Sequence, residues 1–166
     1  MNLLEFCQWL ENTSLGVEIR EGQSWFSLLN GVHLVGMAVA FGTIAIVDLR
    51  LLGKGIRRAR VSEVASSLLP WTWAGFAVMA ASGTLLVFSE AVKLYGNVFF
   101  WTKVTLLIAA GLNVLIFHRT VYKRVAEWDL EPVPPRQARV TGMISLACWF
   151  GLMAAGRAIP YLDQKL

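Results

Sequence analysis

The chain is 166 residues long, 56% hydrophobic and only 16% charged, with a formal net charge of +4. Its apolar residues fall in long blocks, more than the interior of a soluble domain of this size can hide, and this excludes an ordinary soluble fold. The positive charge sits in short loops between those blocks, which points to membrane orientation and anionic lipid, and away from nucleic acid.

The first element spans about residues 3–12. Leu3, Phe6, Cys7 and Leu10 share one helical face and Glu5, Gln8, Glu11 and Asn12 the other, the pattern of a short amphipathic helix in the membrane interface with Trp9 at headgroup level. Glu5 and Glu11 stand where a cleavable signal would carry Lys or Arg, so the first apolar block is expected to remain as a span. Thr13 to Gly22 reads as a polar turn. The first span is expected over about 25–49, followed by Arg50, Lys54, Arg57, Arg58 and Arg60. A second span is expected over about 70–90, with Pro70 in its first turn and Trp71 and Trp73 as anchors. After a short turn at Leu94 to Asn97, a third span is expected over about 98–117, followed by His118, Arg119, Lys123 and Arg124. A proline-rich linker, Glu131-Pro132-Val133-Pro134-Pro135, leads to a fourth span over about 140–159. Each block is near the ~20 residues that cross ~30 Å of hydrocarbon.

The expected architecture is therefore all-α: one domain over residues 1–166, a four-helix transmembrane bundle with an interfacial N-terminal helix. The loops after spans one and three are basic, while the turn after span two carries only Lys93. By the positive-inside rule both termini lie outside, in the periplasm if the membrane is a bacterial inner membrane. Gly36 and Ala40, Gly75 and Gly83, Ala110 and Gly111, and Gly151 and Ala155 are spaced for close helix contact, inside the bundle or at an oligomer interface. Cys7 and Cys148 are too few for a disulfide framework.

Ionisable groups within hydrocarbon are costly and mark candidate sites. His33 lies roughly 12 Å inside its span at ~1.5 Å of rise per residue, too deep for its short side chain to reach the headgroups. Asn30, one turn away, Glu90, Lys103 and Arg157 join it in one third of the bundle. His118, at the opposite edge, meets water or pairs with Asp48. His33 and His118 are separated along the membrane normal by roughly 16 Å on the same rise, too far to share one iron, so as haem ligands each would serve a different haem or take another partner ligand. Met153 lies at a depth near that of His33 and supplies a Met/His haem alternative. Met37, one turn below His33, gives a soft pair suited to copper. Asn113 reads as an interhelical hydrogen bond. No HExxH, CxxC, phosphate loop or GxSxG is present.

The segments FCQWLENTSLGVEIRE, VHLVGMAVAFGTIAIVDLRLLG, LLPWTWAGF, SEAVKLYGN and FHRTVYKRV resemble an uncharacterised family of small bacterial four-helix membrane proteins, a domain of unknown function. The likeness covers nearly the whole chain and implies the four-span fold without an activity. More loosely, HLVGMAVAFGT looks like the first histidine-bearing helix of copper-resistance membrane proteins and of cytochrome b561-like bundles. The leading expectation is an inner-membrane redox-type protein that is not an enzyme in its own right. It would bind haem b or a related metal centre at His33 and pass electrons to or from a periplasmic partner, with Lys103 and Arg157 on the haem propionates. Two other readings stand beside it. One is a component that handles copper or a small solute; the other is a non-catalytic subunit, self-associating or part of a larger membrane complex.

Overall fold

A computed structural model describes residues 2–22 and 24–161. Its helices are α1 (Leu3–Glu11), α2 (Ser14–Glu21), α3 (Trp25–Leu51), α4 (Val61–Tyr95), α5 (Val98–Arg119) and α6 (Arg136–Ala158), with a 3-10 stretch at Tyr122–Glu127. α3 to α6 are each long and apolar enough to cross a membrane. They run alternately up and down. His33, the start of α5 and the ends of α4 and α6 lie at one end, here the head end. The connections after α3 and α5 form the loop end.

α1 begins with a capping box: Asn2 accepts from the Glu5 amide at 2.8 Å, and Glu5 accepts from the Asn2 amide at 2.9 Å. Cys7 and Leu10 are buried against Val87, Phe88, Ala91 and Val92 of α4, while Trp9 and Leu3 are exposed. The segment expected to be a polar turn is instead helix α2. Thr13 caps it, accepting from the Gly16 amide at 3.2 Å, and Gly16 and Ile19 are buried. The cap and the Leu15/Ile19 spacing were the signals; the charges of Glu18, Arg20 and Glu21 concealed them.

α4 also departs from expectation. It starts nine residues before Pro70, which lies inside the helix and not in its first turn. Val61, Val64 and Ala65 recur at helical spacing and are buried, and Val61 joins Leu51, Phe117, Trp128 and Ala138 in one apolar cluster. At ~1.5 Å per residue α4 is roughly 52 Å long, well beyond the hydrocarbon thickness. Its backbone breaks at Glu90, with φ −139° and ψ 33°. There Glu11 of α1 accepts from the Val92 amide at 2.8 Å and re-caps the last turns.

α3 packs on α4 and on α6, and α5 packs on α6. The α3–α4 seam is closest at Gly36, Ala40 and Gly75. A Cβ on Gly75 would lie 2.7 Å from the Ala40 nitrogen and 2.8 Å from the Gly36 oxygen. Backbones meet there because no side chain intervenes, as expected of small residues in membrane helices. Gly151 likewise packs on Leu106, whereas Gly111 faces open space. The middle of the bundle is apolar: Ile44, Met79, Trp149 and Leu152 form its core, with Met37, Phe41, Phe76 and Leu106 against them.

At the loop end Arg50 is 0% exposed. Its guanidinium donates to the carbonyls of Ala59 at 2.9 Å, Asp129 at 3.2 Å and Glu131 at 3.1 Å. Asp129 in turn takes the Ser62 amide at 2.8 Å and the Ser62 hydroxyl at 2.6 Å, capping α4 from a distant loop. Gly53, at φ +69°, makes the left-handed turn that ends α3.

Candidate functional site

Three helices meet at the head end around His33, which is 9% exposed. The small residue Gly83 admits the ring: a Cβ there would lie 3.0 Å from His33 Cε1. Ser82, beside it on α4, places Oγ 3.1 Å from His33 Nδ1. Lys103 of α5 turns inward, past Gly156 of α6, and sets Nζ 3.4 Å from His33 Nε2.

The hydrogen-bond directions follow from the partners. The Ser82 hydroxyl has one proton, and at 2.6 Å it goes to the Val78 carbonyl. Ser82 Oγ must therefore accept from His33 Nδ1–H, which leaves Nε2 as the acceptor of a Lys103 proton. The resulting chain, Lys103 to His33 to Ser82 to Val78, satisfies both nitrogens of the buried imidazole through the protein. Among the described residues the Lys103 ammonium has no carboxylate within ion-pair distance. It lies roughly 8 Å from the start of α5 at ~1.5 Å per residue, near enough for its stem to reach the headgroups, yet it points to the interior.

The other expected residues are not gathered here. Asn30 is exposed although only three positions from His33, because the buried stripe of α3 (His33, Gly36, Ala40, Ile44, Val47, Leu51) begins one turn below it. Glu90 pairs with Lys93 of its own helix at 3.2 Å. Arg157 is exposed and stacks over the Tyr161 ring at 5.0 Å from its centroid. Met37 belongs to the apolar core, and Met153 is half-buried on α6. Among the described residues no three His, Cys, Asp or Glu side chains form a group able to hold a metal ion. Cys7 and Cys148 are both free thiols.

His118 is exposed at the loop end, its ring edge-on to Phe117 and Tyr122 at 5.7 and 4.9 Å. It shares a small cavity with Asp48, a residue the chain buries to 3% exposure. Asn113 donates to the Thr141 carbonyl at 3.1 Å, the expected interhelical bond. Ser82 and Gly83 were absent from the expected site. Their adjacency in an apolar helix, one polar and one small, was the only signal, and which face it turned to a neighbour was invisible.

A model of the family of unknown function DUF6644 matches residues 6–162, and the chain belongs to that family. No curated protein and no solved structure matches it.

Proposed function

We propose that the protein is a small multi-pass membrane module that handles a small anionic solute at its head end, with Lys103 and His33 as the binding pair. The reading takes the head end as the outer, periplasmic side of a bacterial inner membrane, supported by the basic loops at the other end. A single observation carries it: a lysine ammonium turned into the bundle toward a neutral imidazole, with no carboxylate within ion-pair distance among the described residues. A partly buried cation without a counter-ion carries a desolvation cost, and an anion that takes charge-assisted hydrogen bonds from it offsets that cost. The test is thermal unfolding of the detergent-purified protein with acetate, benzoate or inorganic phosphate against chloride at equal ionic strength. A saturable rise in Tm that is lost in Lys103→Met is expected. No response to any of the three, or an equal response in Lys103→Met, defeats the reading.

Haem b or a metal ion at His33 is the second reading, and one observation favours it. Histidines that ligate a metal through Nε2 hold Nδ1–H in a fixed hydrogen bond, as Ser82 does here. The position a metal would occupy faces the Lys103 ammonium, so ligation requires that side chain to swing away, toward a propionate in the haem case. A reduced-minus-oxidised spectrum of the purified protein without Soret or alpha bands ends the haem reading, and metal analysis without copper ends the other.

A further inference from the structure

The head end does not use a second buried ionisable group, at the loop end. Asp48 is 3% exposed, and its Oδ2 has no hydrogen-bond partner among the described residues. It lines a cavity of about 50 Å³ between α3, α4, α5 and α6. Along α3 it is fifteen residues from His33, roughly 22 Å at ~1.5 Å per residue, with the apolar core between them. The two ends are separate sites.

The polar atoms that α5 and α6 bring to the cavity wall are mostly oxygens. From α5, Asn113 donates one amide N–H to the Thr141 carbonyl, and its Oδ1 is an acceptor. From α6, the Thr141 hydroxyl gives its proton to the Gln137 carbonyl at 3.1 Å, leaving only lone pairs. The Ser145 hydroxyl of α6 faces the carboxyl. α4 contributes only apolar groups, and no lysine or arginine reaches the wall. The remaining titratable groups are His118, exposed at the edge, and Tyr122. Ser145 serves one side of the carboxyl, and Oδ2, left without a donor among the described residues, calls for a cation or a proton, since an unsatisfied buried charge is costly.

We propose that this cavity binds one small monovalent cation of sodium size, held by the Asp48 carboxylate with the side-chain oxygens of Asn113, Thr141 and Ser145. One carboxylate balances one positive charge, whereas calcium and magnesium sites draw on more charge or on phosphates. Hard oxygen donors suit an alkali cation and not a soft metal. The volume suits one ion with at most one water, whose share of liquid volume is about 30 Å³.

The full-length protein in detergent, unfolded thermally in sodium chloride and in choline chloride at equal ionic strength, tests this. Sodium is expected to raise Tm saturably by about 4 °C or more, as ligand binding to the native state does. Asp48→Asn should abolish the shift, and Ser145→Ala should raise the half-saturating sodium concentration several-fold. Equal Tm in the two salts for the wild-type protein overturns the proposal, and so does a sodium shift that survives in Asp48→Asn. An infrared band of a protonated carboxyl in sodium, absent from Asp48→Asn, also overturns it, because the site then holds a proton. The salt comparison on the wild-type protein decides against the proposal even if a variant fails to fold.

Discussion

Two inward-turned cations, a buried arginine and a half-buried lysine, stand at the two ends of this bundle, and they are built differently. Arg50, at the loop end, donates to three backbone carbonyls from two separate loops. Among the described residues Lys103, at the head end, meets a single imidazole nitrogen. The planar guanidinium, with five donors in a fixed fork, can tie several chain segments at once, while a compact ammonium on a flexible stem can be redirected. A charge surrounded by fixed carbonyls holds the fold together. A charge with one weak acceptor is left available to a ligand.

Substitutions at the two ends should separate these roles. The largest effect is expected for Arg50→Met, which frees the carbonyls of Ala59, Asp129 and Glu131 together. Removing one partner of a buried charged network costs about 3–5 kcal/mol, read as lower Tm in detergent or as loss of folded protein. Lys103→Met, an equally drastic loss of charge, should change stability by less than about 1 kcal/mol in either direction, because among the described residues that charge has one bond and no carboxylate partner. A fall as large as that of Arg50→Met would erase the contrast.

Gly75→Val tests the seam that carries both ends. Its side chain would enter the Ala40 and Gly36 backbones, and overpacking of this kind costs about 1–3 kcal/mol, measured by thermal unfolding. Asp129→Asn weakens the cap on α4 by about 1 kcal/mol and carries a pH signature. Partial burial pushes the Asp129 carboxyl up, but the Ser62 hydroxyl and amide and the nearby Arg60 outweigh it and hold its pKa below the ordinary range. A folded-state pKa below the unfolded one contributes stability that is complete above the unfolded value and lost as pH falls through the folded one. The wild-type protein should therefore lose Tm below the ordinary aspartate value of about 3.9 more steeply than Asp129→Asn does. The smallest effect belongs to Ser82→Ala. One interhelical bond in a membrane bundle is worth about 0.6 kcal/mol, so Tm should barely move. Freed from Ser82, His33 can change tautomer, and the anion-dependent Tm shift should weaken.

Four membrane-length helices were legible in the sequence, because twenty apolar residues in a row have few other stable outcomes. The Gly36, Ala40 and Gly75 contact was equally legible, since small residues in such helices mark close approach. α2 and the first turns of α4 were missed for one shared reason. Their helical character depends on burial against other elements, Gly16 against Phe88 of α4 with Ile19 buried, and Val61 on Leu51 and Trp128, while their own polar residues and Pro70 signal a break.

At the candidate site the chain by itself fixed that His33 is too deep for water and must find a partner. It could not say which, because depth follows from position along one helix, whereas a partner depends on how neighbouring helices rotate about their axes. Only the packed bundle turned Ser82 and Lys103 toward the ring, left Asn30 outside, kept Glu90 with Lys93 and enclosed Asp48 beside a cavity. Hydrophobic length is a property of each segment alone and is written locally. Facing and rotation are properties of pairs of helices, and they are decided when small residues let the backbones touch.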